Sequence, residues 1–267
     1  MRNIQKIAII GGGVMGEIFI TGAIDVFAGS EICVVDKNVD KLNAIKKNHP
    51  TVETVFSNLI AINNADLIII AVKPQSFEGL ARHLEGAIGS DSLVISIMAG
   101  VSIKKIQKDL GVKSVIRAMP NMGARVKKSV TTWIASEKIG APDKDCIRKL
   151  FGGIGFEMEI DNERMIDTAT AIAGSGPGFL FYLVEEWLKS AQKMGLGKEE
   201  TKKMLLATID GANTLLQQSG EPEILKQQVA SKGGTTEAGL KEMKKIVPAL
   251  WRQTLSAAQK RARELSK

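Results

Sequence analysis

Ile7-Ala8-Ile9-Ile10-Gly11-Gly12-Gly13-Val14-Met15-Gly16 decides the fold. Four apolar residues in a row read as a buried strand, and glycines at 11, 13 and 16 follow in G-x-G-x-x-G order as a helical pattern opens. Gly11 suits a tight turn, Gly13 lets the backbone approach a pyrophosphate, and Gly16 lets helix and strand pack closely. The amides of Val14, Met15 and Gly16 at the helix start then face phosphate along a favourable dipole. A glycine-rich structural turn is the competing reading, but the flanking strand and helix are the context that a dinucleotide loop requires.

Moving outward, Ile32-Cys33-Val34-Val35, Leu67 to Val72, Leu93 to Ile97 and Ser114-Val115-Ile116-Arg117 repeat the short apolar run. Amphipathic stretches separate them, which predicts a parallel sheet covered on both faces. Thr131 to Ala135 and Gly155 to Ile160 extend the pattern around a helix from about Pro142 to Phe151. Asp36 closes the second strand, where a carboxylate usually holds the ribose hydroxyls and disfavours a 2′-phosphate. Lys37 beside it argues for the phosphate, so cofactor preference stays open. Ala71-Val72-Lys73-Pro74-Gln75 ends the Leu67 strand at the edge where ligands bind in open α/β sheets, although a solvated strand end reads equally well.

After Asp161 the texture becomes helical. Leu180, Leu183, Val184, Trp187, Leu188 and Ala191 fall on one helix face, with a stop at Met194-Gly195. Leu205, Ile209, Ala212 and Leu216 mark a second helix ending near Gly220, and shorter helices are expected from Pro222, Thr236 and Pro248. The expected organisation is a Rossmann-type α/β nucleotide-binding domain over residues 1–160 followed by an all-α domain over 161–267.

Bulk properties exclude several classes. The net charge of +7 is spread evenly, with 20 Lys/Arg against 16 Asp/Glu in residues 1–160 and 16 against 13 beyond. Without a basic block, and with 4% aromatics to stack bases, nucleic-acid binding is not expected. Two cysteines and two histidines, His49 and His83, supply neither a metal site nor a histidine-based triad, so no metal is expected. The first ten residues read as a strand rather than a signal peptide, and no apolar run reaches membrane-spanning length. Elimination places the protein in the cytoplasm.

Two segments of the helical half stand out. Gly174-Ser175-Gly176-Pro177 interrupts a helical pattern with poor helix formers, and Pro177 suits the first turn of a new helix. Ser231-Lys232-Gly233-Gly234-Thr235-Thr236 leads into a helix near Glu237 and offers free amides, a positive dipole end and hydroxyls, which suit a small carboxylate. Each segment also reads as an ordinary turn or N-cap.

Taken together with Ser96-Ile97-Met98-Ala99-Gly100-Val101, Arg117-Ala118-Met119-Pro120-Asn121 and Asp167-Thr168-Ala169-Thr170-Ala171, these segments resemble pyrroline-5-carboxylate reductase over nearly the whole chain. The resemblance implies an NADPH-dependent enzyme, with NADH possible, that reduces the C=N bond of a cyclic imino acid to make proline. It implies a helical domain that builds a homodimer, often in rings of dimers, with the active site between the nucleotide domain of one subunit and helical elements of the dimer. By resemblance, Gly234, Thr235 and Thr236 hold the substrate carboxylate, Ser175 joins the substrate site, and the Thr236 hydroxyl bonds the ring nitrogen as the catalytic group. Lys73 and its neighbours, with Ala99 and Asn121, line the nicotinamide side, and Asn58 the adenine ribose side.

The chain departs from the family pattern at four places. Lys232 stands where proline is common, Phe179 where tyrosine is usual, Gly178 where alanine is usual, and Asp36-Lys37-Asn38 replaces an Asn-Arg-Ser type run. Two rival readings share the plan: a reductase of another small substrate, such as one using a hydroxy acid or an F420 cofactor, and a dinucleotide-binding regulator without catalysis. The helical half lacks a histidine base for hydroxy-acid chemistry.

Overall fold

Successive strand residues point to opposite faces, so a run apolar at every position must be covered on both sides. The computed structural model describes residues 2–265 and meets that demand with a layered α/β architecture. Its strands are β1 (Lys6–Ile10), β2 (Glu31–Val35), β3 (Glu53–Val55), β4 (Leu67–Ile70), β5 (Leu93–Ser96), β6 (Val115–Met119), β7 (Ser129–Ala135) and β8 (Gly155–Glu159). The helices between them are α1 (Val14–Val26), α2 (Val39–Asn48), α3 (Asn58–Ile62), α4 (Phe77–Leu84), α5 (Ile103–Leu110) and α6 (Ala141–Gly152). After the sheet come α7 (Arg164–Ala169), α8 (Gly176–Gln192), α9 (Lys198–Ser219), α10 (Pro222–Val229) and α11 (Thr235–Leu265).

The sheet runs β3-β2-β1-β4-β5-β6-β7-β8. Its first six strands are parallel in the doubly wound order of a Rossmann-type domain. β7 then pairs antiparallel to β6, with Ala118 opposite Trp133, and β8 returns parallel to β7, so the sheet is mixed at this end. Alternation divides the core. Ile7, Ile9, Val34, Ile69 and Ile95 pack with Phe19, Trp133 and Phe151 on one face. Ala8, Ile10, Val35, Ile68, Ile70 and Val94 pack with Phe77 and Leu84 on the other. Each large side chain so buried contributes about 1.5–3 kcal/mol, which holds the strand ends in fixed register.

Several sequence expectations change in detail. β3 went unread because three residues of an edge strand, Glu53-Thr54-Val55, carry no periodic signal. β4 stops at Ile70 rather than Val72, although the Ala71 amide still donates to Ile10 O at 2.8 Å. Gly174 to Pro177 is not a turn between separated helices: α7 passes through one π turn, Thr170–Gly174, closed by the Ser175 amide on Thr170 O at 2.8 Å. Pro177 follows in the first turn of α8, where an amide is not needed. Pro248 does not begin a helix but lies inside α11, which runs unbroken from Thr235. One hydrogen bond is lost there, and the apolar positions Ile246, Leu250 and Trp251 keep one helical spacing across it.

The chain forms two compact units. One takes the residues through Ser175 together with those from Ala258, and the other is Gly176–Ala257. The change of texture near 161 therefore precedes the change of compactness. Arg117, 3% exposed on β6, accounts for the difference. Its guanidinium meets Glu163 at 2.9 Å and Asp167 at 3.5 Å, and Glu163 also accepts the Ile103 amide. Gln259 donates to the Thr168 hydroxyl at 2.7 Å. These contacts tie α7 and the end of α11 to the sheet. Arg117→Ala removes the buried guanidinium that Glu163 and Asp167 both meet, and urea unfolding should show a loss of about 3–5 kcal/mol.

Candidate active site

Strand order reverses between β1 and β4, and the crevice outside their carboxyl ends is where such sheets take a ligand. The Gly11–Gly16 loop leaves β1 there. Gly11 has φ +110, and a Cβ on it would come 2.7 Å from Ala71 O, so the turn after β1 sits on the strand end of β4. A Cβ on Gly16 would collide with the Gly11 carbonyl. Gly13 differs: a Cβ there would meet nothing within 4 Å. Packing therefore explains Gly11 and Gly16 but not Gly13, whose open side is the space that a pyrophosphate needs. The amides of Val14, Met15 and Gly16 lie in the first turn of α1 beside it, and a nicotinamide dinucleotide fits this cradle.

The same edge of the sheet gathers the other cofactor candidates. Asp36 and Lys37 follow β2, and Asn58 opens α3 after β3. Ala71, Val72, Lys73 and Pro74 follow β4, where Lys73 is exposed and caps a short 3-10 turn. Ala99 follows β5 next to Gly100, which has φ +76 and whose Cβ would collide with the Leu265 carbonyl at the end of α11. Asn121 follows β6, but its amide group is engaged within the protein. Its Nδ2 donates to Ala173 O at 2.9 Å, and its Oδ1 accepts from the Gly123 and Val130 amides. That side chain positions the loop after β6 and the π turn, and Ser175 closes the same turn.

Asp36 is more constrained than its sequence position indicated. Oδ2 accepts from the Gly12 amide at 2.9 Å and from Lys41 Nζ at 3.3 Å, while Oδ1 accepts from the Asn38 amide at 2.9 Å. Burial raises the carboxyl, but the Asn38 and Gly12 hydrogen bonds and the Lys41 charge outweigh it and hold it below the ordinary value. Lys41 was missed by sequence reasoning. The signal was an N-cap: Asn38 Oδ1 accepts the Lys41 amide and starts α2 so that Lys41 faces back to Asp36. The two cysteines take no part. Burial pushes the Cys33 thiol up to about 12 and the Cys146 thiol up to about 11, so both stay protonated.

In the helical unit, α11 begins two residues before the expected Glu237. Gly233, with φ +74, makes the turn into it. The Gly233 amide donates to Glu237 Oε2 at 2.7 Å, and the Gly234 amide to Ser231 O at 2.9 Å. The first intrahelical bond runs from Ala238 to Gly234 O, so the amides of Thr235 and Thr236 have no partner among the described residues. The expected set of three anion-binding amides thus narrows to two, because Gly234 is committed internally. Glu237, missed from sequence, is a capping carboxylate that fixes the turn. Thr235, Thr236 and Lys232 lie at or near the surface of this turn. Ser175 belongs to the other compact unit.

Known proteins match the first and the second part of the sequence separately. Residues 163–265 match the family described as pyrroline-5-carboxylate reductase dimerisation, and residues 6–100 match NADP oxidoreductase, coenzyme F420-dependent. The chain is 35% identical over 247 residues to pyrroline-5-carboxylate reductase 2 of Bacillus subtilis, covering 90% of this chain and 87% of that protein. The solved pyrroline-5-carboxylate reductase of Coxiella burnetii is 31% identical, covers 100% of both chains and superposes with a TM-score of 0.87. The Plasmodium falciparum pyrroline carboxylate reductase, solved with NADP bound, is 26% identical over 100% of both chains, also with a TM-score of 0.87.

The glycines separate stability from binding. Gly16→Ala should unfold at lower urea concentration because its Cβ displaces the Gly11 turn. Gly13→Ala should change stability by less than about 1 kcal/mol, yet weaken dinucleotide binding about tenfold in calorimetric titration.

Proposed function

The chain belongs to the pyrroline-5-carboxylate reductase family, and on that premise we infer that it reduces the ring C=N bond of 1-pyrroline-5-carboxylate with NAD(P)H, giving proline. The observation that carries the assignment to particular residues is the start of α11. Two unpartnered amides, a helix dipole and the Thr236 hydroxyl meet there on an open turn. The substrate's carboxylate is held by the Thr235 and Thr236 amides, and Ser175 is assigned to the substrate site. The Gly13 side of the glycine loop holds the cofactor pyrophosphate, with Asp36, Lys37 and Asn58 on the adenosine side. Ala71, Val72, Lys73, Pro74, Ala99 and Asn121 are assigned to the nicotinamide side, Asn121 acting through the loop it fixes.

Held at the Gly13 side of the loop, a nicotinamide cofactor would supply the hydride that the imine carbon takes up, and the proton on the ring nitrogen comes from solvent. The imine is activated by protonation, so the protein needs no strong acid. Thr236 Oγ1 orients the nitrogen by hydrogen bonding, and its neighbours hold the carboxylate so that the imine carbon presents one face. Positioning and fixed dipoles of this kind carry much of such a barrier reduction. This is consistent with a helical half that contains no histidine.

The protein is a homo-oligomer through its helical half. Phe181, Tyr182 and Trp187 on α8 and Ile246 on α11 are each more than half exposed in the single chain. Large apolar side chains left exposed in this number call for a partner. The finer reading is a homodimer, with rings of dimers as its larger form, and with residues 161–267 serving substrate binding and dimerisation. Among the described residues no helix is long and apolar enough to cross a membrane. Two free, buried cysteines and a reaction that consumes reduced nicotinamide support a cytoplasmic location.

Thr236→Ala should lower imine reduction about tenfold or more, followed as nicotinamide absorbance, while dinucleotide binding stays near wild type. Undiminished turnover refutes the Thr236 role, and no turnover in the wild type refutes the reaction. Phe181→Glu places a charge on the α8 face and should shift the protein to monomers in sedimentation velocity.

A further inference from the structure

Asp36 stands at the carboxyl end of β2, where a Rossmann-type sheet meets the adenosine ribose. A carboxylate there discriminates between cofactors only if it cannot turn away from an incoming 2′-phosphate. This one is held from two directions. The Gly12 amide, part of the phosphate loop itself, donates to Oδ2, and the Asn38 amide at the start of α2 donates to Oδ1. A Cβ on Gly12 would lie 3.4 Å from Asp36 Cβ, so loop and side chain are also in close contact. Swinging the carboxylate outward breaks both hydrogen bonds and the Lys41 pair.

The cations nearby do not offset this charge. Lys41 Nζ is paired with Asp36 Oδ2 at 3.3 Å, so its charge answers the carboxylate. Lys37 is exposed and forms no ion pair with any described residue. A 2′-phosphate carrying about two negative charges would meet the solvated Lys37 beside a fixed carboxylate. The ribose hydroxyls of the unphosphorylated cofactor meet a different surface. Oδ1 has one donor from the protein and keeps an acceptor direction for a hydroxyl.

We propose that Asp36, clamped by Gly12, Asn38 and Lys41, makes this protein select NADH over NADPH. The inference rests on the reading of the chain as an NAD(P)H-dependent reductase. The hydrogen bonds that clamp the side chain also keep it ionised at neutral pH, since they hold its carboxyl below the ordinary value against the effect of burial.

The test is calorimetric titration of the full-length protein with NADH and with NADPH, without imine. Wild type should bind NADH about tenfold or more tightly than NADPH. Asp36→Asn keeps an oxygen for the Gly12 or Asn38 amide but removes the charge, and it should erase most of that ratio by tightening NADPH. Wild type that binds NADPH as tightly as NADH overturns the proposal and leaves the reductase reading intact, whether or not the Asp36 variant folds. The proposal also fails if Asp36→Asn, shown folded by thermal melting, leaves the ratio unchanged. Failure of wild type to bind either dinucleotide overturns both.

Discussion

The contact between Gly16 and the Gly11 carbonyl sets the geometry on which the nucleotide site depends. Helix α1 lies against the turn after β1 because neither residue has a Cβ. That closeness aims the first-turn amides of α1 into the space beside Gly13. The rest of the sheet supports the arrangement. β4 presents Ala71 to Gly11, β2 presents Asp36 to Gly12, and the apolar strands behind them hold both ends in register. Packing requires glycine at 11 and 16, whereas at 13 the backbone faces open space.

The helical half follows a different physical logic. Its α8 carries Phe181, Tyr182 and Trp187 exposed in the single chain, whereas the strands of the sheet domain bury most of their large apolar residues. A helix that is apolar on an unpartnered face is stable only when something covers it. Oligomerisation through this half covers that face. Within the half, the edge contact of Phe179 with Trp251, 6.4 Å between ring centres, ties α8 to α11. Phe179 makes that contact where the family pattern usually has tyrosine.

A buried charge cluster decides where one unit ends and the next begins. Arg117 draws Glu163 and Asp167 onto β6, so the first residues of the helical sequence pack with the sheet. Burying a guanidinium is costly unless its carboxylates are well placed, and the demand for both partners makes this joint specific as well as stable. The π turn that follows leaves Ser175 at the limit of the first unit, with Asn121 holding Ala173 O beside it. Sequence texture has no means of reporting such a joint, because the partners lie 46 and 50 residues apart.

The sequence by itself determined the doubly wound sheet, the glycine loop, the helical second half and the family, since these rest on local periodicity and on motifs read in order. Gly11, Gly13 and Gly16 were legible because strand, turn and helix are contiguous there, and so was the turn before Thr235 and Thr236. Tertiary structure alone decided the antiparallel β7, the passage of α11 through Pro248, the internal role of Asn121 and the commitment of the Gly234 amide to Ser231. It also decided that Asp36 is held by Gly12, Asn38 and Lys41 while Lys37 stays exposed. The physical reason is the same throughout: a hydrogen bond between distant residues depends on where the backbone has been brought, and no local pattern carries that position.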